Sequence, residues 1–279
     1  MARTSRPFTT VTANVNGIRA AARRGGLEWL AALDPDVVCL QEVRATHEQL
    51  HEQLAQSGLA HLHVAHSASA SLGRNGVAVL SRLQPRAIRE GVGEPEFAQQ
   101  GRWIEADIDT PLGPMTVVSA YVHAGEAGTP KQDEKFRFLD AMERRMGSLR
   151  RRAGRAKGHV LITGDFNVAQ REIDIKNWRA NRDKAGFLPE ERAYLDRWFG
   201  VDRPGPWHDL GRIWGGEGPG PYTWWSWRGR GFDTDGGWRI DYQVVTPGLA
   251  GRSTGAWVGK AAAYAERWSD HAPLVVTFS

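Results

Sequence analysis

Cysteine is almost absent: Cys39 is the single one in 279 residues. No disulfide can close within the chain, and a lone thiol in the apolar run VVCLQ reads as buried and inert in a reducing compartment. Long hydrophobic runs are missing too. No stretch reaches the ~18–20 apolar residues of a membrane-spanning helix, and MARTSRPFTTVTA lacks the apolar core of a secretory leader. The expectation is a protein of the cytoplasm that engages no membrane. Nor does one sign of charge dominate: 36 Lys and Arg stand against 32 Asp and Glu, a net charge of +4. That balance permits a polyanionic partner without requiring one. No Ser/Gly/Pro-rich linker divides the chain, so one domain over residues 1–279 is expected, long enough to bury its own core.

What is plentiful is tryptophan, with 12 residues. Four of these, Trp224, Trp225, Trp227 and Trp238, crowd one late segment. Strand-length apolar runs recur along the chain as FTTVTAN, DVVCLQEV, NGVAVLSR, RWIEADID, PMTVVSAYV, HVLITGDFN, YTWWSW, WRIDYQVV and APLVVTF. Helical patterns lie between them. GGLEWLAAL is a short one; residues 46–56 carry Thr46 and Gln49 as a capping box, with Leu50 and Leu54 four apart. Over 131–152, Phe136, Leu139, Met142, Met146 and Leu149 make one stripe, and a later helix opens at Pro189. Arg150, Arg151, Arg152, Arg155 and Lys157 close the long helix, where positive charge suits the dipole and a solvated end. Strands alternating with helices predict an α/β domain of packed sheets with helices outside.

Polar residues collect at the strand ends. In ITGDFNVA, Asp165 and Asn167 are one residue apart and would share a face if strand geometry persists. An acid and an amide aimed at one point can hold a water, although the same D-x-N also suits an Asx-turn. TANVNG repeats the pattern with Asn14 and Asn16. LQEV delivers Glu42, WRIDYQVV puts Asp241 among apolar neighbours, and WSDHAPL sets Asp270 and His271 before the last strand. Such groups are costly at buried strand ends unless paired or metal-bound, so a shared cleft is expected. With no cysteine cluster and one histidine in the set, zinc is disfavoured. Hard oxygen donors suit Mg²⁺, with Glu42 as first ligand and Asp270 or Asn14 assisting.

TANVNGIRA, LQEV, SAYV, GDFNVA, EIDIKN, GFLPEER, YTWWSW, WRIDY and SDHAPL follow one another in the order of the exonuclease III family of apurinic/apyrimidinic endonucleases. The sequence resembles that family over nearly its whole length. The resemblance implies a four-layer α/β sandwich of the DNase I type, two packed mixed β-sheets flanked by helices. It further implies Mg²⁺, with Mn²⁺ as a substitute, and duplex DNA that is abasic or 3′-blocked, handled by a nucleoid-associated monomer. The implied activities are incision 5′ to abasic sites, 3′→5′ degradation and cleaning of 3′ ends. By motif, Glu42 matches the metal-binding glutamate, with Asn14 and Asp270 near the same ion. Asp165 matches the acid that activates water, Asn167 the amide beside it, and His271 the histidine facing the phosphate. Asp241 matches the carboxylate orienting that histidine, and Tyr121 a phenol near the phosphate. Asn177 and Asn181 match amides of a polar loop, while Trp224, Trp238 and Ile240 match the pocket for a base-free sugar.

The sequence departs from the family in places. Asn16 stands where some members carry aspartate, His123-Ala124-Gly125 follows Tyr121 in place of proline and an amide, and Trp224 replaces a frequent phenylalanine. Arg228 and Arg230, in the loop 228–237, are expected to touch phosphate, as is Arg74. At least half of the four clustered tryptophans are expected to be packing. Two rival readings are another DNase I-like phosphoesterase, acting on phosphoinositides, sphingomyelin or RNA, and a nucleic-acid-binding module without catalysis.

Overall fold

The β-branched run FTTVTAN forms β1 (Phe8–Asn14) in the computed structural model of the protein. The structure describes residues 6–200 and 204–279, so the first five residues of the stretch read above for a leader lie outside it. The first half continues with α1 (Ile18–Arg23), α2 (Gly26–Ala32), β2 (Val37–Gln41), α3 (His47–Ala55), β3 (His63–Ser67), β4 (Val77–Ser81), β5 (Ala87–Glu90), β6 (Trp103–Thr110) and β7 (Gly113–Tyr121). Then come α4 (Pro130–Ala156), β8 (His159–Asp165), α5 (Trp178–Asn181), α6 (Pro189–Phe199), β9 (His208–Asp209) and α7 (Leu210–Gly215). The chain ends through β10 (Asp241–Val245), α8 (Pro247–Ala250), β11 (Ser253–Val258) and β12 (Leu274–Phe278). No described helix is long and apolar enough to cross a membrane.

Two six-stranded sheets result, ordered β11-β12-β1-β2-β4-β3 and β9-β10-β8-β7-β6-β5. Written this way they match strand for strand. In each, the third strand pairs parallel with the fourth (β1 with β2, β8 with β7) and antiparallel with the second (β1 with β12, β8 with β10). The sheets pack face to face over Val37, Cys39 and Val79 from one and Ile104, Val117 and Leu161 from the other. Outside them, α1 to α3 cover the first sheet through Ile18, Leu27, Leu30 and Leu50. On the second sheet lie α4 and α6, through Leu139, Met142, Met146 and Leu195. This is the four-layer α/β sandwich expected. Cys39 is buried between the sheets, where desolvation pushes its thiol up to about 12, too high to react.

The long helix follows its stripe, and α3 opens on the expected box: Gln49 N–H donates to Thr46 Oγ1 at 3.3 Å and Thr46 N–H to Gln49 Oε1 at 3.1 Å. The basic end of α4 is mostly exposed, although Arg152 turns inward to Asp107 at 2.9 Å. One expected strand is absent. YTWWSW runs as a loop, with only Trp224 bridging to Trp238 and His271. Its backbone finds partners without a ladder: Thr223 and Trp224 N–H both donate to Trp238 O, Trp225 N–H donates to Asp270 O, and the Arg267 guanidinium takes up Trp225 O and Ser226 O. WRIDYQVV becomes a strand only at Asp241, because Arg239 N–H is already given to Asp174 O.

Candidate active site

β1 and β8 occupy equivalent places in the two sheets, and the same turn closes each. Two residues beyond Asn14 and two beyond Asp165 the backbone enters the left-handed region, Asn16 at φ 46° and Asn167 at φ 50°. Asn16 N–H donates to Asn14 Oδ1 at 3.0 Å, and Asn167 N–H donates to Asp165 Oδ1 at 2.9 Å. Both are Asx-turns, so the turn chemistry is present. It does not use up the side chains. Asn14 Nδ2 reaches across the sheets to Asp165 Oδ2 at 2.9 Å and to Glu42 Oε1 at 2.8 Å. Glu42 follows β2 at φ 49°, a conformation that costs a non-glycine residue about 1–3 kcal/mol. Its second carboxylate oxygen pairs with Arg44.

Asp241 stands directly opposite Asp165 in the antiparallel register, a placement in which two carboxylates repel. His271 lies between them, with Nδ1 2.8 Å from Asp241 Oδ2 and Nε2 3.7 Å from Asp165 Oδ2. All three side chains are buried. Burial works against a charged imidazole, but the carboxylates of Asp241 and Asp165 outweigh it and push His271 up to about 10. Burial is the main cause that lifts Asp165 to about 7; His271 opposes it, and Asp241 and Glu42 add to it. The two carboxylates thus favour the imidazolium, which can donate from both nitrogens. Tyr121 is in register with Asp165 across the β7–β8 pair. Burial, then Glu42 and Asp165, hold its phenol well above the usual range, so it stays a donor. Arg102 lies over the Tyr121 ring at 5.0 Å.

Among the described residues, Glu42, Asp165 and His271 form the one group of three whose ligating atoms lie within 4.8 Å of one another. His271 is engaged by Asp241 through Nδ1, and the other two groups are carboxylates. That oxygen set suits Mg²⁺ and is poor for zinc. The histidines of HEQLH have a zinc-like spacing on α3 but stand outside this group; His47 meets His66 instead, Nδ1 to Nδ1 at 3.2 Å.

A cavity of about 640 Å³ opens beside Glu42 and Tyr121, and its wall includes Arg44, Arg74, Arg102 and His123. A larger one, about 1090 Å³, lies along Gln170, Arg192 and Asp196 and touches none of the three clustered residues. Beside His271, Trp224 and Trp238 cross edge to face at 6.1 Å and 90°. They pack with Ile240, Ile175, Phe187 and Trp178. Here, then, are a buried acid, a histidine clamped between carboxylates, a neutral phenol and a packed aromatic cluster on one end of the sandwich.

Residues 11–271 match the Endonuclease/Exonuclease/phosphatase family. Over 275 residues the chain is 29% identical to Exodeoxyribonuclease III of Haemophilus influenzae, covering 96% of this chain and 98% of that one. This chain is a member of the exonuclease III and AP endonuclease family. Its fold is similar to an AP endonuclease from Archaeoglobus fulgidus (TM-score 0.80, 25% identity, covering 98% of this chain and 99% of that one). It is also similar to the 3′ phosphatase NExo from Neisseria bound to product DNA hairpin (TM-score 0.82, 27% identity, covering 98% and 99%).

In this exonuclease III family member, Asn14, Glu42, Tyr121, Asp165, Asn167, Asp241 and His271 are brought to one place. Asp270 is not in the group of three. Its carboxylate accepts from Asn16 Nδ2 at 2.8 Å and from Trp224 Nε1 at 3.2 Å, which gives the departing amide at position 16 a partner. Asn177 and Asn181 are joined to each other, Asn181 Nδ2 to Asn177 O at 2.9 Å. Arg74, Arg228 and Arg230 are exposed. Trp225 is buried, and Trp227 is held between Arg24 and Arg267, so half of the tryptophan cluster is packing. His123 is a buried wall residue, contacting Gln100 Oε1 at 3.0 Å and Glu134 Oε1 at 3.1 Å. Sequence reasoning missed Arg44, Arg102, Trp178 and Phe187. Trp178 left a signal, an aromatic residue directly after Asn177 in a polar loop; the arginines left none.

Proposed function

We propose that the protein is a Mg²⁺-dependent DNA repair phosphodiesterase that incises duplex DNA 5′ to abasic sites and processes 3′ ends at the same centre. The convergence of Glu42, Asp165 and His271 carries this reading; the relatives named for exodeoxyribonuclease, AP endonuclease and 3′ phosphatase activity support it. Asp165, hydrogen-bonded on both oxygens, holds a water and takes its proton. The His271 imidazolium, oriented by Asp241, and the Asn167 amide stabilise charge on the phosphoryl oxygens. Tyr121 donates toward the phosphate or the leaving oxygen. Mg²⁺, held by Glu42 with Asn14 and Asp270 near the same ion, would neutralise phosphate charge and stabilise the leaving group. Trp224, Trp238 and Ile240 cover the apolar face of a sugar without its base, with Asn177 and Asn181 at the rim. The working unit is one domain over residues 1–279, acting as a monomer on DNA in the cytoplasm.

A duplex with one abasic site and end-labelled strands tests the reading with and without Mg²⁺. Internal incision yields one defined fragment and 3′→5′ trimming a ladder; no cleavage of either kind refutes it. A protonated Asp165 cannot accept a proton, so kcat/KM is expected to fall tenfold per unit as pH drops below about 7. A bound cation moves that midpoint down, so the acid limb should shift to lower pH as Mg²⁺ is raised, and an acid limb that survives unchanged in Asp165→Asn rules Asp165 out as its source. Arg228 and Arg230 are assigned to DNA phosphate. Replacing both with alanine should flatten the salt dependence of DNA binding by about 0.9 in log–log slope for each phosphate no longer neutralised; an unchanged slope excludes them.

A further inference from the structure

Lys135 lies on the face of α4 that packs on the second sheet, and neither it nor Glu191 is exposed at all. Replacing a buried ion pair with apolar side chains of similar volume often costs no stability, so this one invites a reason other than stability. The pair is densely hydrogen-bonded. Lys135 Nζ meets Glu191 Oε1 at 2.6 Å and donates to Asn167 O at 2.9 Å and Ala124 O at 3.1 Å. Glu191 Oε1 also accepts from Gln132 Nε2 at 2.9 Å, and Oε2 accepts from Gly186 N–H at 2.6 Å and Leu188 N–H at 3.0 Å. The lysine end thus grips the left-handed turn that aims the Asn167 side chain, together with the loop that departs from the family after Tyr121. The glutamate end grips the segment that delivers Phe187 to the aromatic cluster of Trp178, Trp224 and Trp238. The two ends meet again at Gly186, whose carbonyl accepts from Ala169 N–H at 2.8 Å. A Cβ on Gly186 would sit 2.9 Å from the Trp238 ring and 3.2 Å from Asn167 O.

We propose that Lys135, paired with Glu191, is a positioning residue that holds the Asn167 turn and the aromatic cluster in one register for phosphodiester cleavage. This rests on the reading of Asn167 as the amide beside the phosphate. Displacing a positioned group by an ångström can cost about 100-fold in rate, which sets the scale. On an abasic duplex, K135M is expected to lower kcat about 10–100-fold while KM moves less than about threefold. Because Lys135 acts through Asn167, adding K135M to N167A should cost little further. Should K135M fail to fold with Glu191 unpaired, K135M/E191Q removes both charges and keeps an acceptor for Gly186 and Leu188; the same loss of kcat is expected of it. Wild-type kcat per folded molecule in either variant, or losses in K135M and N167A that multiply, overturns the proposal and leaves the active-site reading intact. A wild-type protein inert on the abasic duplex overturns both.

Discussion

Asp165→Asn is expected to lower the single-turnover rate of abasic-site incision by about 10²–10⁴, the usual worth of a general base. At 1.36 kcal/mol per decade this is about 2.7–5.4 kcal/mol of barrier. The amide is nearly isosteric and can still accept from Asn167 N–H, so the backbone turn survives. It cannot take a proton from water. Its NH₂ group also faces the NH₂ of Asn14 where a carboxylate oxygen now accepts at 2.9 Å. The substitution further takes away one of the two carboxylates that raise the His271 pKa most, so the imidazole holds its proton less firmly. Loss of rate without loss of thermal stability is the expected result; a variant that incises at the wild-type rate excludes the role.

Chelation should have the other large effect. Removing divalent cations is expected to take incision to the background rate, and Mg²⁺ to restore it. Glu42→Gln should raise the Mg²⁺ concentration for half-maximal rate by at least about 100-fold, since loss of a mere outer partner of a metal ligand already costs 10–100-fold in affinity. Glu42 has the right placement for this. It is half-buried, lies on the wall of the 640 Å³ cavity, and accepts from Asn14, which also braces Asp165. Titrating Mg²⁺ against rate for both proteins decides the matter: superimposable curves would remove Glu42 from the ligand set.

Periodicity made the interior of the molecule legible. The stripe from Phe136 to Leu149 and the Thr46 box appear as expected, because burial of one face and capping are local demands written in local spacing. Edge elements were harder. β3, β5 and β11 carry exposed or half-exposed residues such as His63, Arg89 and Glu90, so their pattern resembles a polar connection. YTWWSW failed in the opposite sense, since its aromatic residues look like a strand while a side chain, Arg267, serves its carbonyls. The D-x-N and N-x-N ends were readable because their polarity is out of place beside apolar runs. The site's supports were not. Lys135 occupies a position on the buried face of α4 where a hydrophobe would be expected, and a lysine there looks like surface until Glu191, far along the chain, is brought to it.

The strand-for-strand match of the two sheets has a mechanical consequence. Asn14 and Glu42 belong to one sheet and Asp165 and Asp241 to the other, so the reacting groups straddle the seam along which the layers would slide. Small shear between the layers would separate Asp165 from Glu42, the acids proposed to activate water and hold the cation, while each sheet keeps its own ladder. Catalytic output should therefore collapse under mild pressure or low urea, ahead of any change in strand content, which makes turnover a sensitive gauge of how the layers are aligned.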